Sequence, residues 1–196
     1  MTKSDVITAV VLVVLLAAGG AVIIPAVRDA KRRSLRTTSV GNLKRLGTLC
    51  TGYALGFGFS DRFPFDPSEE PRAYRAFQIL VDASSDFDFC ILCDPSQHDD
   101  PALPDAEGRY RLQPHNVSYA YRGAATTTSS RQDTILISND TYRGAPNQAR
   151  SSEPEGLDGG VNVFFVSGEA RFMPIEELGA DRSFPEGLVG NEGRTR

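Results

Sequence analysis

The chain has 196 residues and a formal net charge of −4, but its charge is unevenly distributed. Residues 1–45 contain eight Lys or Arg against two Asp, a net +6, so the remaining residues carry −10. No aromatic residue is interleaved with the basic cluster for base stacking, and the rest of the chain is acidic, which together exclude a nucleic-acid partner from the prediction.

The first predicted element is an apolar run over residues 6–24, in which Thr8 is the only polar residue. As a helix, a run of this length crosses the roughly 30 Å hydrocarbon layer of a bilayer, and in lipid its backbone must be hydrogen-bonded internally. A cleaved signal peptide would have a shorter apolar core and a small-residue cleavage site, whereas this run ends at Pro25. A buried soluble helix would carry more polar residues. The sequence therefore predicts a single-pass transmembrane helix over residues 1–27.

A cluster of basic residues follows the apolar run directly. Each Lys or Arg beside a span gains about 1 kcal/mol from an anionic lipid surface, so we interpret the cluster as a membrane neck that contacts the bilayer. The positive-inside rule, applied to the flanks of the span, places the rest of the chain in the cytoplasm. The neck comprises Arg28, Lys31, Arg32, Arg33 and Arg36.

Helical spacing continues beyond the neck. Apolar residues recur three or four positions apart through residues 28–57, which predicts the soluble half of one long helix with one buried face. Gly41, Gly47 and Gly52 each weaken a helix by about 1 kcal/mol relative to Ala, so contacts with the rest of the chain must stabilise this half. The predicted buried face comprises Leu35, Leu43, Leu46, Cys50, Tyr53 and Phe57.

The remaining sequence predicts one short helix and a set of strands. Residues 73–83 have helical spacing, within a region of turns from 58 to about 115. Runs rich in β-branched and aromatic residues predict strands, and Ser167-Gly168 predicts a hairpin turn between the last two. The predicted strands span residues 117–122, 134–138, 161–166 and 169–173.

Short motifs follow the span in a definite order, and this order resembles that of bacterial type IV pilin-like proteins. The branch it resembles most is related to the major pseudopilin of type II secretion and often ends in a histidine, nine residues and then Asp-Gly. The motifs are Asn42-Leu43-Lys44-Arg45-Leu46-Gly47, Tyr53, Asp61-Arg62-Phe63-Pro64, Cys93-Asp94-Pro95-Ser96, Ser118-Tyr119-Ala120-Tyr121 and Asp158-Gly159-Gly160-Val161-Asn162-Val163-Phe164-Phe165.

The resemblance implies an α+β pilin fold, with a long N-terminal helix that is transmembrane in its first half and packed on an antiparallel β-sheet in its second. The head would occupy residues 58–175, with a C-terminal tail over 176–196. Relatives carry basic residues after the span and still place the head outside the cytoplasm, so a periplasmic head on the bacterial inner membrane is preferred. The implied function is a non-enzymatic structural subunit of a type II secretion or type IV pilus-like apparatus, whose partners are other pilin-like subunits or secretion-apparatus proteins.

The chain also departs from the family pattern. Alignment on the family proline puts Lys3-Ser4 at the processing junction and Thr8 where the family has glutamate. Leu157 stands at the branch histidine and Ser167 at its aspartate. These departures favour an alternative, a stand-alone membrane-anchored periplasmic scaffold or binding module that has lost filament assembly. Of the branch signature, only glycines suited to tight turns remain: Gly159, Gly160 and Gly168.

Cys90 and Cys93 form a C-x-x-C pair, which can be a redox dithiol, half of a zinc site or a disulfide. A redox pair is expected at a helix N-terminus, whereas the Asp-Pro that follows does not continue a helix. Zinc needs about four ligands, which His98 and His115 would have to complete from loops. In the oxidising periplasm a disulfide that staples the loop locally is favoured. Cys50 is interpreted as a small buried hydrophobe.

No nucleophile, base and orienting acid occur in a recognised local arrangement, so the prediction is no enzyme and no cofactor. Calcium stays open, because some major pseudopilins bind it in a C-terminal loop through carboxylates and carbonyls, ligands that this hard cation prefers. The acidic candidates cannot be matched to the family ligands residue by residue. They are Asp133, Asp140 and Asp158, and the cluster Asp99, Asp100 and Asp105.

Overall fold

The computed structural model describes residues 3–56, 61–68, 71–95, 97, 99–122, 126–139, 160–174, 177 and 188–189. Within these residues the chain forms two α-helices, two short 3-10 turns and five strands. The helices are α1 (Lys3–Gly56) and α2 (Ala73–Ala83), and the 3-10 turns span Phe89–Leu92 and Pro114–Asn116. The strands are β1 (Tyr119–Arg122), β2 (Ile135–Asn139), β3 (Gly160–Phe165), β4 (Ala170–Pro174) and β5 (Leu188–Val189).

The chain divides into two compact units, Met1–Leu35 and Arg36–Arg196. In the first unit the backbone is helical from Lys3 onwards with Pro25 inside the helix, and the described side chains over 23–34 are exposed. Across the described residues, no helix combines the length and the apolar character needed to cross a membrane. The predicted span over residues 6–24 falls mostly on side chains that lie outside the described set.

In the second unit the strands form one antiparallel sheet in the order β4-β3-β2-β1-β5. Strands β1 to β4 follow each other as neighbours, and β5 pairs with the outer side of β1. The turn between β3 and β4 places Gly168 at φ 87°, a left-handed conformation that glycine adopts without a Cβ penalty. Its N–H donates to the carbonyl of Phe165 at 2.9 Å, so the predicted hairpin at Ser167-Gly168 is confirmed.

The head portion of α1 packs on one face of this sheet, which makes the chain an α+β protein. Leu43, Leu46 and Cys50 are fully buried, as the periodicity predicted, and each large apolar side chain buried in this way contributes about 1.5–3 kcal/mol. Gly47 allows the helix to approach closely, since a Cβ there would lie 2.3 Å from the ring of Phe164 on β3. Leu35 and Tyr53 are half-buried, and Phe57 lies outside the described residues.

Helix α2 completes the core from the side of β1, over the span that the sequence predicted. Its buried face includes Phe77, whose ring meets that of Tyr121 edge to face with the centroids 5.0 Å apart. The second face of the sheet carries another apolar cluster, which includes Val161, Val163 and Leu188. Because Leu188 on β5 pairs with β1, the sheet extends into residues 176–196, the segment that the sequence assigned to a C-terminal tail.

Candidate functional site

A cluster of buried polar side chains joins α1, the loop after the first 3-10 turn, and the end of β2. Ser39, Asp94 and Asn139 are each at most 2% exposed. The hydroxyl of Ser39 donates to Asp94 Oδ2 at 2.6 Å. The amide nitrogen of Asn139 donates both to Ser39 Oγ, at 3.1 Å, and to Asp94 Oδ2. Burying a carboxylate is unfavourable unless it is hydrogen-bonded, so these donors keep the Asp94 loop against helix and sheet.

The two strands that neighbour β2 add further groups to this cluster. The backbone N–H of Asn162 on β3 donates to Asn139 Oδ1 at 2.8 Å, so the amide of Asn139 is held at both of its polar atoms. Tyr119 lies opposite Asn139 on the other neighbouring strand, and burial, reinforced by the charge of Asp94, raises the pKa of its hydroxyl well above its ordinary value. Hydroxyl, carboxylate and carboxamide therefore meet in a dry site with fixed geometry.

Asn162 also contributes a side-chain amide that is fully buried. Within the part of the chain that the structure describes, neither its nitrogen nor its oxygen has a hydrogen-bond partner. Buried polar atoms are normally paired, so this amide is an exception inside the sheet. In the sequence Asn162 appeared only inside the 158–165 motif, and nothing marked its side chain as part of a site, because asparagine within a strand reads as a mild break.

The C-x-x-C pair flanks this cluster. All three cysteines are free thiols, with Cys90 exposed, Cys93 half-buried and Cys50 buried, so the predicted Cys90–Cys93 disulfide is not formed in the structure. The thiol of Cys93 instead points to the carbonyl of Asn116, 3.7 Å away. The carbonyl of Cys93 accepts from Asn42 Nδ2 at 3.1 Å, which fixes the loop to α1.

Three of the described calcium candidates, Asp99, Asp105 and Asp133, are engaged with protein donors. Asp133 pairs with Arg131 at 2.7 Å, and Asp99 accepts the hydroxyl of Ser118. The backbone N–H of Arg109 lowers the pKa of Asp105, helped by further donors in the same turn. Asp140, Asp158 and His98 lie outside the described residues, and among the residues that are described no group of three or more His, Cys, Asp or Glu could hold a metal ion.

The three glycines of the branch signature differ in their structural roles. Gly168 serves the β3–β4 turn, Gly160 begins β3 rather than a turn, and Gly159 lies outside the described residues. A Cβ on Gly160 would lie 2.2 Å from the carbonyl oxygen of Met173 on β4, so Gly160 allows the two strands to approach closely.

The residues of the basic neck differ in exposure. Arg36 lies on the ring of Phe172, with its guanidinium carbon 3.7 Å from the centroid. The other neck residues, Arg28, Lys31, Arg32 and Arg33, are exposed.

Sequence reasoning missed Asp66, which organises the loop before α2. Its carboxylate accepts from the backbone N–H of Ser68 and of Arg72, each at 3.0 Å, and Arg75 lies 3.5 Å away. Burial alone would raise the pKa of Asp66, but these hydrogen bonds and the Arg75 charge together lower it. An Asp seven residues before the first residue of α2 offered no recognisable capping signal.

An open cleft of ≈ 520 Å³ lies beside the end of α2 and the turn at residues 108–111. Phe89 stacks on Tyr110 at its wall, with ring centroids 4.1 Å apart, and Gln78 bonds to the backbone of both Tyr110 and Leu112. Asp82 is among the charged residues that line the cleft. The side chains that line the cleft therefore mainly hold the turn at residues 108–111 against α2.

Comparison with protein-family models, with curated proteins and with solved structures found no match to this chain.

Proposed function

We propose that the chain is a membrane-anchored, pseudopilin-like structural subunit of a type II secretion or type IV pilus-like apparatus, without enzymatic activity. The observation that carries the proposal is that one helix combines an apolar N-terminal sequence with a C-terminal part that packs on the sheet. In sequence, residues 6–24 form an apolar run, and in the structure α1 continues to Gly56 and buries Leu43, Leu46 and Cys50 on an antiparallel sheet. The resemblance in motif order supports the same assignment.

The exposed neck supports a membrane location. Arg28, Lys31, Arg32 and Arg33 follow the apolar run and lie exposed, where an anionic lipid surface would attract each by about 1 kcal/mol. The proposed arrangement is a single pass through the bacterial inner membrane with the head in the periplasm. The lipid bilayer and other pilin-like subunits are then the partners, and α1 is the element through which they associate.

A second candidate function is a stand-alone anchored scaffold or binding module. Lys3-Ser4 and Thr8, which replace the family's processing site and glutamate, favour it. In relatives the glutamate is thought to pair with the N-terminal amine of a neighbouring subunit, so Thr8 removes one contact for assembly. Both candidates share the anchor and the fold and differ in processing and association.

Alkaline extraction of native membranes tests the anchor. The full chain is expected to stay in the membrane fraction, and release into the soluble fraction would refute membrane insertion. A Leu15→Arg/Leu16→Arg variant should weaken retention, because Arg at the centre of a span opposes insertion by about 2.5–3.5 kcal/mol. Leu55→Arg is the matched control, since Leu55 lies on the exposed side of α1 and its substitution should leave retention unchanged.

N-terminal sequencing and intact mass of the membrane-purified protein separate the two candidates. Cleavage beside Lys3-Ser4 with N-methylation would support a processed, assembling subunit. An intact N-terminus would support the stand-alone scaffold, and a cut after the apolar run would contradict both. A reporter fused after Arg196 checks topology, with activity expected from a periplasmic reporter and not from a cytoplasmic one.

A further inference from the structure

The buried cluster of Ser39, Asp94 and Asn139 contains the groups that an acyl transfer requires. A hydroxyl nucleophile contacts a carboxylate, the same carboxylate contacts a carboxamide nitrogen, and a backbone N–H contacts the carboxamide oxygen. We propose that this site forms an intramolecular ester between Ser39 Oγ and the side-chain carbon of Asn139, with loss of ammonia. The ester would link α1 covalently to β2.

Each group has a defined task in the step. Ser39 donates its hydroxyl hydrogen bond to Asp94 Oδ2 at 2.6 Å, so Asp94 is placed as the general base that removes the proton. Asn139 Nδ2 donates to this oxygen at 3.1 Å, and the carbon to be attacked is bonded to that nitrogen. The oxygen has to move from the edge of the amide onto its face to attack. Because both reactants are held on one folded chain, the reaction is intramolecular and is favoured by proximity.

The electrons and protons balance without an external reagent. As the Oγ–C bond forms, the electron pair of the C=O bond moves onto Asn139 Oδ1, where the backbone N–H of Asn162 stabilises the negative charge from 2.8 Å. The nitrogen of the intermediate then takes the proton from Asp94, which already contacts it. As the C=O bond re-forms, the C–N bond breaks and ammonia leaves. The carboxylate is regenerated, so Asp94 acts first as base and then as acid.

The surroundings favour the ester once it has formed. The three residues are at most 2% exposed, and they are covered by α1 on one side and the sheet on the other, so water that would hydrolyse the ester is excluded. Ser39 and Asn139 are 100 positions apart in the sequence. A single bond between them would close a loop that contains α2, both 3-10 turns and β1.

Peptide mapping of the full-length protein tests the proposal. Trypsin cuts after Arg36, Lys44, Arg131 and Arg143, so the ester predicts one branched peptide that joins residues 37–44 to residues 132–143. Its mass should equal the sum of the two peptides less one ammonia, and mild hydroxylamine treatment should separate them. Recovery of both peptides only in unlinked form, with the full mass, would overturn the proposal.

Variants assign the roles. Ser39→Ala and Asp94→Asn should abolish the loss of ammonia. Ser138→Ala should retain it, because Ser138 is also buried beside Asn139 but its hydroxyl donates to a backbone carbonyl, that of Asn139. A cyclic imide of Asn139 with the following backbone amide also releases ammonia but needs no serine. Loss of ammonia that persists in Ser39→Ala would therefore refute the ester. The mapping of the unaltered protein decides the case even if a variant does not fold.

Discussion

Two glycines on the same helix should respond in opposite directions to substitution by alanine. At Gly52 a Cβ would meet nothing within 4 Å, so Gly52→Ala should raise the free energy of unfolding by up to about 1 kcal/mol through helix propensity. At Gly47 the same Cβ would lie 2.3 Å from the ring of Phe164, which is 1% exposed and fixed between helix and sheet. Overpacking of a core typically destabilises by about 1–3 kcal/mol.

Gly47→Ala should therefore lower the free energy of unfolding by up to about 2 kcal/mol, since the steric term exceeds the propensity gain. Both variants gain the same methyl group on one helix, so the difference between them isolates the contact with Phe164. Denaturant titration of the full chain in detergent measures it. Because the chain has no Trp, the near-UV circular dichroism of the buried Tyr119 and Tyr121 is a suitable signal.

The double variant Gly47→Ala/Phe164→Leu adds a check on the cause. Removing the ring should relieve the contact, so the double variant should be less destabilised than the sum of the two single variants. Equal stabilisation by Gly47→Ala and Gly52→Ala, or strict additivity in the double variant, would show that α1 does not approach β3 as closely as the structure has it.

Three further predictions concern single sites. Under native conditions a maleimide should label the exposed Cys90 rapidly, while Cys50, whose thiol pKa burial raises to about 12, should react only after unfolding. Mass spectrometry of the labelled peptides measures both reactions. Labelling of Cys50 in the native protein would contradict its burial. The lowered pKa of Asp66 stabilises the fold above the unfolded pKa of about 4, and this stabilisation is lost as the pH falls through the folded pKa. The Asp66→Asn variant should therefore be less stable at neutral pH and show a flatter acid denaturation profile. A profile unchanged from the parent protein would contradict this prediction. Gly160→Ala should destabilise more than Gly47→Ala, because its Cβ would meet the backbone of Met173 rather than a side chain, and thermal unfolding midpoints give the comparison.

The sequence alone determined the elements whose signal is local periodicity. The spacing of Leu43, Leu46 and Cys50 predicted the buried face of α1, and α2 was found over the predicted span. The strands are within two residues of the runs rich in β-branched and aromatic residues, because such side chains pack well on a pleated surface. Strand β5 escaped notice, since two residues carry too little pattern and its existence depends on the edge of β1.

Only the tertiary structure decided which distant polar residues meet. Ser39, Asp94 and Asn139 lie in three separate segments, and each alone resembles an ordinary helix, loop or strand-end residue. Their contact depends on the register of β2 against β3 and on the position at which α1 packs on the sheet. Both are set by the packing of apolar side chains, such as Phe164 against Gly47. Periodicity specifies which face of an element is buried, whereas the partner of each buried polar atom depends on how the faces dock, and that information is not local in sequence.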